Sequence, residues 1–253
     1  MAKLDRNGVK IHYEVHGSGP TILLSHGYSS TSRMWDGQVA ALKDRYRVIA
    51  WDFRGHGESD YPADQNQYSE ALTVGDMKAL LDHVGAKKAI VAGLSLGGYM
   101  SLAFHATHPE MVGALMLFDT GPGFKKDDAR AKWNETAHAR AAKFDAEGLK
   151  ALNQSDEVKL TRHRDATGLA GAARGMLAQQ NDRVIQSLES IKVPTLVLVG
   201  ANDTNFLAAT DYMAAKIAGA TKAVIPNAGH AANLHQPALF NQAVEAFLAK
   251  LPA

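Results

Sequence analysis

One serine with a glycine on either side constrains this chain more than any other feature. Ser95 stands in the run 93–98, after the short apolar stretch 89–92 and before the helix-prone stretch 99–105. A serine between a strand and a helix, with glycine two positions away on each side, is the pattern of a nucleophile elbow. The backbone reverses sharply there, and strand and helix approach too closely for side chains at the flanking glycines. The pattern predicts a strained, nucleophilic Ser95; the alternative is a glycine-rich turn with an incidental serine.

The composition favours an ordinary globular enzyme. The chain has 253 residues, of which 46% are hydrophobic and 21% charged, enough for one large domain or two small ones. Its net charge of +1 provides no strong field to hold a nucleic acid or an anionic membrane. The absence of cysteine excludes a disulfide framework, a thiolate metal site and a cysteine nucleophile. With no apolar leader and no stretch of bilayer length, we expect a cytoplasmic protein without a membrane span.

Short runs with the apolar or alternating pattern of strands are followed along the chain by stretches with helical periodicity. This alternation predicts an α/β fold, with a mostly parallel sheet covered by helices on both faces. Ligands bind such sheets at the carboxyl ends of the strands. The predicted strands are residues 9–15, 21–24, 47–51, 89–92, 114–118, 195–199 and 223–225, and the predicted helices include 33–43, 77–84, 207–217 and a closing helix with its apolar stripe over 240–251.

Residues 121–190 break the alternation, because they carry no strand signal and are helix-prone and highly charged. We predict that they form a helical cap inserted into a core domain made of residues 1–120 and 191–253. A disordered linker is the alternative. It is less favoured because Trp133 and Phe144 need burial.

A serine nucleophile needs a base with a pKa near 7, which points to histidine. His230 is the best candidate, since it follows the last predicted strand; a buried histidine bonded to backbone is the alternative. The histidine in turn needs a carboxylate, and Asp203 stands directly after the strand 195–199. Asp119, at the end of another strand, is the rival, and a helix N-cap is the remaining role for Asp203. The order Ser95, Asp203, His230 along the chain is the order of nucleophile, acid and base expected for a fold of this kind.

Two backbone N–H groups are candidates for an oxyanion hole. One belongs to Leu96, immediately after the nucleophile, and the other to Tyr28, in the loop that follows the strand 21–24. We expect His26 to be a hydrogen-bonded structural residue rather than a catalyst. Phe124, Trp133 and Met176 are further candidates for the walls of a substrate pocket.

The segment 51–59 is rich in charged residues and glycines, and we interpret it mainly as structural. Asp52 and Arg54 are expected to pair and hold the loop, while Gly55 and Gly57 supply its turns. We expect no metal site here, and no metal or organic cofactor elsewhere in the chain.

Together these motifs resemble those of the α/β-hydrolase fold, in its capped, non-lipase serine hydrolases. The resemblance extends over nearly the whole chain, through residues 26–28, 52–59, 93–98, Asp203 and 228–230. It implies an eight-stranded, mostly parallel sheet with a helical cap over the site. The elbow and the tail 230–237 are similar to those of 3-oxoadipate enol-lactonases and related carboxylesterases.

The resemblance implies a carboxylesterase that cleaves small esters through an acyl-enzyme, with an enol-lactone or lactone hydrolase as the alternative. Ser95 excludes haloalkane dehalogenases and epoxide hydrolases, which need aspartate at this position. C–C bond hydrolases are a weaker match, because Leu94 and Ala231 stand where those enzymes tend to have asparagine and tryptophan. A cofactor-free perhydrolase and a non-catalytic ligand receptor are further alternatives.

Cationic side chains of the predicted cap are candidates to hold an anionic lactone. The alternative, which we favour, is a solvated charged face, because acidic residues are interleaved with the basic ones. The cations are Lys125, Lys126, Arg130, Lys132 and Arg140, and the acids are Asp127, Asp128 and Glu135.

Overall fold

Eight strands form a single sheet in the computed structural model of the chain, which describes residues 2–252. The strands are β1 (Ala2–Arg6), β2 (Val9–His16), β3 (Thr21–Ser25), β4 (Arg47–Trp51), β5 (Ala89–Leu94), β6 (Val112–Phe118), β7 (Thr195–Gly200) and β8 (Thr221–Ile225). Their order across the sheet is β1-β2-β4-β3-β5-β6-β7-β8. The pairs β1–β2 and β2–β4 are antiparallel and the other five pairs are parallel. The predicted eight-stranded, mostly parallel sheet is confirmed.

The central strands are apolar along most of their length because both faces of the sheet are covered. In β6, Leu115 and Leu117 pack into the core on one face, while Ala114, Met116 and Phe118 pack into the core on the other. The edge strands differ. The residues of β1 are exposed or only partly buried, so this strand has no apolar signal and the sequence pattern missed it.

Helices cover both faces of the sheet, as predicted. Helices α2 (Glu70–His83), α3 (Leu96–Thr107) and α8 (Leu207–Lys216) contribute to the core on one face. Helices α1 (Asp36–Leu42) and α10 (Pro237–Leu248) contribute to the core on the other. The short helix α9 (Ala232–His235) precedes α10. No helix within residues 2–252 is both long and apolar enough to cross a membrane.

The closing helix follows its predicted periodicity. Phe240, Val244, Phe247 and Leu248 are buried on one side of α10, at the spacing of a single helix face. The helix begins at Pro237, where the missing N–H has no cost because the first turn has no intrahelical acceptors. It ends at Leu248, three residues before the predicted end.

Between β6 and β7 the chain forms helices and loops only. The α-helices are α4 (Asp127–Glu147), α5 (Asp156–Lys159), α6 (Thr167–Ala172) and α7 (Arg183–Gln186), and a π-helical turn spans Ala173–Leu177. Ala141 and Phe144 of α4 pack against Leu169 and Ala170 of α6 in a small apolar cluster of their own. We call residues 119–194 the helical segment. The boundaries of a separate cap domain at 121 and 190 stay a prediction.

The loop after β4 is held by a buried ion pair that differs from the expected one. Asp52 and Arg54 do not pair with each other. The Asp52 carboxylate accepts hydrogen bonds from the backbone of Ser32 and Glu58, and Arg54 forms a two-pronged ion pair with Asp76 of α2, at 2.6 and 2.9 Å. The sequence missed this pair because Arg54 and Asp76 lie in different elements, 22 positions apart.

We expect Asp76→Asn to destabilise the fold strongly. The side chains of Arg54 and Asp76 are 3% and 1% exposed, so the variant leaves a buried guanidinium without its counter-charge. Removing one partner of such a pair costs about 3–5 kcal/mol in the free energy of unfolding. Asp82→Asn is the matched control, since it breaks the exposed Lys78–Asp82 pair on the same helix and should cost less than about 1 kcal/mol. Urea denaturation measures both, and equal losses would contradict the prediction.

Candidate active site

Ser95 occupies a strained turn between β5 and α3. Its φ of 55° and ψ of −117° place it outside the regions that side-chain-bearing residues favour. The surrounding backbone holds it there: the Ser95 N–H donates to the Phe118 carbonyl at 3.0 Å, and the Thr120 hydroxyl donates to the Ser95 carbonyl at 2.6 Å. Strain of this kind persists only where neighbours enforce it, and it concentrates at functional sites.

The flanking glycines are required by close backbone contacts. A Cβ atom on Gly93 would lie 2.3 Å from the carbonyl carbon of Gly97. A Cβ atom on Gly97 would lie 2.1 Å from the carbonyl oxygen of Ser25, at the end of β3. Both distances are far below van der Waals contact. Strands β3 and β5 and the first turn of α3 therefore converge at Ser95, as the glycine spacing predicts.

His230 and Asp203 form a hydrogen-bonded pair at the ends of neighbouring strands. The distance from His230 Nδ1 to Asp203 Oδ2 is 2.7 Å, with the carboxylate 3% exposed and the imidazole 35% exposed. The two loops are tied together, because the Asn202 N–H donates to the Ala228 carbonyl at 2.8 Å. The ring of Phe206 stacks on the imidazole, with ring centroids 5.2 Å apart. The carboxylate thus fixes the orientation of the histidine ring.

Ser95 and His230 line the same cavity, whose volume is about 640 Å³. The core contributes Tyr28, Leu96 and Tyr99 to its walls, and the helical segment contributes others. The walls from the helical segment include Phe124, Trp133, Arg140, Glu157, Leu177 and Gln179.

Of the predicted wall residues, Met176 is the one that the structure places elsewhere. It is buried in the core among residues of the sheet and its helices, and its neighbour Leu177 faces the cavity instead. Leu177 closes the π-helical turn, and its carbonyl accepts a hydrogen bond from the Trp133 indole at 2.9 Å. The pattern could not identify which of two adjacent apolar residues faces the cavity, because the irregular turn departs from regular helical spacing.

The backbone beside Ser95 is arranged so that two N–H groups are available. Leu96 is the first residue of α3, where N–H groups have no intrahelical acceptor. The carbonyl of Gly27 accepts hydrogen bonds from His26 Nδ1 at 2.7 Å and from the Ser30 N–H at 3.1 Å. Its peptide bond is trans, so the N–H of Tyr28 points the opposite way. His26 is hydrogen-bonded, as expected, and its other nitrogen accepts from the backbone of Phe53.

The charges around His230 favour its protonated form. Burial acts to lower the pKa of His230, but the hydrogen bond and charge of Asp203, with smaller contributions from Asp119 and Glu157, raise it, and the net shift is upward from 6.5. Glu157 lies on α5 and was not identified from the sequence. Its carboxylate is the acidic group that the helical segment brings to the cavity.

Asp119, the rival acid, is buried and lies at the end of β6. One of its oxygens accepts the Gly200 N–H at 2.7 Å, and the other has no hydrogen-bond partner among residues 2–252. Burial raises the pKa of Asp119 to about 8, against the opposing effect of the Gly200 N–H. The group is therefore mostly protonated at pH 7, while Asp203 is the acid bonded to His230.

Most of the predicted cations point away from the cavity. Of the five, only Arg140 lines it. Arg130 instead pairs with Asp127, and Lys125, Lys126 and Lys132 are exposed, as expected for a solvated face. Within residues 2–252, no group of three or more His, Cys, Asp or Glu side chains is arranged to hold a metal ion.

Comparison with known proteins agrees with this geometry. The family model described as the α/β hydrolase family matches residues 22–243, which run from β3 into α10. The chain belongs to the α/β hydrolase family. The match covers the parallel strands β3 to β8, apart from the first residue of β3, and the whole helical segment.

Individual relatives of this hydrolase span its full length. It is 30% identical to 3-oxoadipate enol-lactonase 2 of Acinetobacter baylyi, over 97% of this chain and 95% of that protein. A thermophilic esterase from Thermogutta terrifontis has a TM-score of 0.87 and 26% identity, with both chains fully covered. The enol-lactonase from Burkholderia xenovorans LB400 has a TM-score of 0.81 and 27% identity, over 98% of this chain and all of that one. The fold is shared among relatives that are named for different substrates.

We expect the His230 imidazole to titrate above pH 6.5, because Asp203 stabilises its charged form. Asp203→Asn should lower this pKa, whereas Asp119→Asn should change it little, since Asp119 is mostly uncharged at pH 7. NMR titration of the histidine ring signals measures both effects. A wild-type value below 6.5, or equal shifts in the two variants, would contradict the prediction.

Proposed function

We propose that this hydrolase cleaves small carboxylic esters through an acyl-enzyme formed on Ser95, without a metal or organic cofactor. The observation that supports it most is the His230–Asp203 pair, held at 2.7 Å, with His230 and Ser95 lining one cavity. A nucleophile, a base and an orienting acid are the three parts that serine acyl transfer needs.

In the proposed reaction, Ser95 attacks the ester carbonyl while His230 accepts the hydroxyl proton. The N–H groups of Leu96 and Tyr28 stabilise the negative oxygen of the tetrahedral intermediate. His230 then gives the proton to the departing alcohol, and the acyl group stays on Ser95. A water molecule, deprotonated by the same histidine, attacks the acyl-enzyme, and His230 returns that proton to Ser95 as the bond to the acyl group breaks and the acid leaves.

Asp203, rather than Asp119, is the proposed orienting acid. A carboxylate at Nδ1 holds the imidazole with Nε2 free to accept the serine proton, and it stabilises the imidazolium that forms. Asp203 makes this hydrogen bond. Asp119 hydrogen-bonds Gly200 instead and is mostly protonated at pH 7, so it cannot supply a full negative charge.

Ser95→Ala should abolish turnover of p-nitrophenyl acetate, with kcat falling by roughly a thousandfold or more because the nucleophile is lost. Ser190→Ala is the control, since Ser190 is exposed and bonds only to the backbone of its own turn. Mass spectrometry after treatment with diethyl p-nitrophenyl phosphate should find the phosphoryl group on Ser95 of the wild type. Activity of Ser95→Ala within tenfold of wild type would refute the proposal.

Hydrolysis of a carboxylate-bearing lactone is the second candidate, and Arg140 is the observation that favours it. Arg140 lines the cavity and forms no ion pair within residues 2–252, whereas Arg130 and Arg174 of the helical segment pair with Asp127 and Asp145. An unpaired guanidinium suits a substrate carboxylate. A relative named for enol-lactone hydrolysis shares 30% identity with this chain.

Kinetics on the two substrate types separates these functions. For an esterase, kcat/KM on p-nitrophenyl acetate should exceed that on a carboxylate-bearing enol-lactone by about tenfold or more, and Arg140→Gln should leave the ester value unchanged. A lactonase would show the opposite preference, and Arg140→Gln would lower the lactone value alone. Lys132→Gln is the matched control, because Lys132 is an exposed cation on the same helix and does not line the cavity.

The three remaining alternative functions differ in the reaction that they would catalyse or lack. A perhydrolase would need hydrogen peroxide, a C–C hydrolase would cleave a carbon–carbon bond, and a receptor would bind without turnover. These alternatives, like the cytoplasmic location, stay predictions.

A further inference from the structure

Ser29, the residue after Tyr28, is held through both of its backbone polar groups by histidine rings. Its N–H donates to His56 Nε2 at 3.2 Å, and its carbonyl accepts from His163 Nε2 at 3.0 Å. Ser29 is buried and has a φ of 58°, in the left-handed region that non-glycine residues adopt only when their surroundings enforce it. The two histidines therefore fix the loop immediately after the proposed oxyanion donor.

His163 is the member of this arrangement that comes from the helical segment, where it lies between α5 and α6. Its other ring nitrogen, Nδ1, accepts the Gly57 N–H at 3.3 Å. A carbonyl accepts and a backbone N–H donates, so His163 must be neutral with its proton on Nε2. One ring thus joins the helical segment to the loops after β3 and after β4.

The same loop is attached to the helical segment at a second point. The Tyr28 hydroxyl donates to the carbonyl of Leu169, in α6, at 2.8 Å. The loop is attached to the core by different residues, since His26 holds the carbonyl of Gly27 and His56 holds the N–H of Ser29. Its position thus depends on both parts of the chain.

We propose that His163 is a positioning residue for the oxyanion hole: by donating to the Ser29 carbonyl, it fixes the loop that presents the Tyr28 N–H. The hole is then complete only when the helical segment is seated on the core. This inference rests on the proposed function. Because an oxyanion donor acts mainly in the transition state, a loosened loop lowers kcat and leaves KM nearly unchanged.

Two variants separate the two hydrogen bonds of His163. An asparagine side chain reaches the position of Nδ1 only, whereas a glutamine side chain reaches the position of Nε2 and keeps a donor for Ser29. We expect His163→Asn to lower kcat for p-nitrophenyl acetate by roughly tenfold, with KM changed by less than about twofold. His163→Gln should stay within about threefold of wild type in kcat. Equal kcat values for the two variants would overturn the inference.

The inhibition constant of a trifluoromethyl ketone tests the oxyanion hole directly, because it would stay unchanged if His163 only stabilised the fold. Such a ketone forms a tetrahedral adduct with the serine and places a negative oxygen in the oxyanion hole. Its inhibition constant should rise in His163→Asn by the same factor by which kcat/KM falls, and His163→Gln should bind it as wild type does. An unchanged inhibition constant in His163→Asn would overturn the inference.

If His163→Asn does not fold, the pH dependence of kcat/KM in wild type and His163→Gln tests the role of His163 instead. Burial lowers the pKa of His163 below 6.5, against the opposing effects of the Ser29 carbonyl and the Asp52 charge. His26 and His56 are the other titratable rings around it; burial lowers the pKa of His26 to about 4 and that of His56 well below 6.5.

Protonation of His163 puts a hydrogen on the nitrogen that accepts from Gly57, so activity should be lost as pH falls through its pKa. At pH values below the pKa of both rings, the acid limb of log kcat/KM should therefore have a slope approaching 2 in wild type, from His230 and His163, and a slope of 1 in His163→Gln. Arg162 and Arg164 flank His163, Glu58 lies on the loop after β4, and burial raises the pKa of nearby Tyr61 to about 12. Equal slopes would overturn the inference.

Failure of the proposed function gives a different result from failure of this inference. If wild type neither hydrolyses the ester nor reacts at Ser95 with diethyl p-nitrophenyl phosphate, the proposed function fails and the inference with it. If wild type does both, and the two His163 variants match each other in kcat, the proposed function stands and the inference about His163 fails.

Discussion

The close backbone contact among β3, β5 and the first turn of α3 is the constraint on which the candidate site depends. It leaves no room for a Cβ atom at Gly93 or Gly97, and it holds Ser95 in a conformation that costs of the order of 1–3 kcal/mol. The same contact fixes the end of β3 relative to Ser95, because Gly97 lies against the Ser25 carbonyl. The loop 27–29 begins two residues after Ser25, so the same backbone contact positions both the nucleophile and the loop beside it.

The two aspartates at the neighbouring ends of β6 and β7 show how burial assigns different states to similar groups. Asp203 hydrogen-bonds His230 and raises the pKa of the imidazole. Asp119 receives one backbone N–H and is otherwise enclosed, so its pKa rises to about 8. Two full negative charges in so small a volume would repel each other. A single ionised carboxylate beside His230 at neutral pH is the arrangement with the lower free energy.

The features that could be predicted from the sequence are those that local residue patterns determine. The inner strands could be found because burial on both faces makes them continuously apolar, and Ser95 could be found because its turn requires glycines at fixed spacing. The His230–Asp203 pair followed from the rule that parallel strands end at one edge. Exposed β1 carries no such apolar signal.

What the sequence could not predict depends on contacts between distant parts of the chain. Arg54 pairs with Asp76 rather than with Asp52, and Leu177 rather than Met176 faces the cavity. His163 contacts Ser29, which lies 134 positions away along the chain, and His163 itself stands in a loop without regular periodicity. In each case the choice of partner is made by tertiary packing, which a pattern of residue types does not encode.

The helical segment contributes to more than the shape of the cavity. It brings Arg140 and Glu157, one cation and one carboxylate, to a cavity whose walls it shares with the core. It also holds the loop of Tyr28 and Ser29 through Leu169 and His163. Substrate selection and the proposed oxyanion geometry are therefore linked, because a change that moves these helices alters the walls of the cavity and the position of the Tyr28 N–H together.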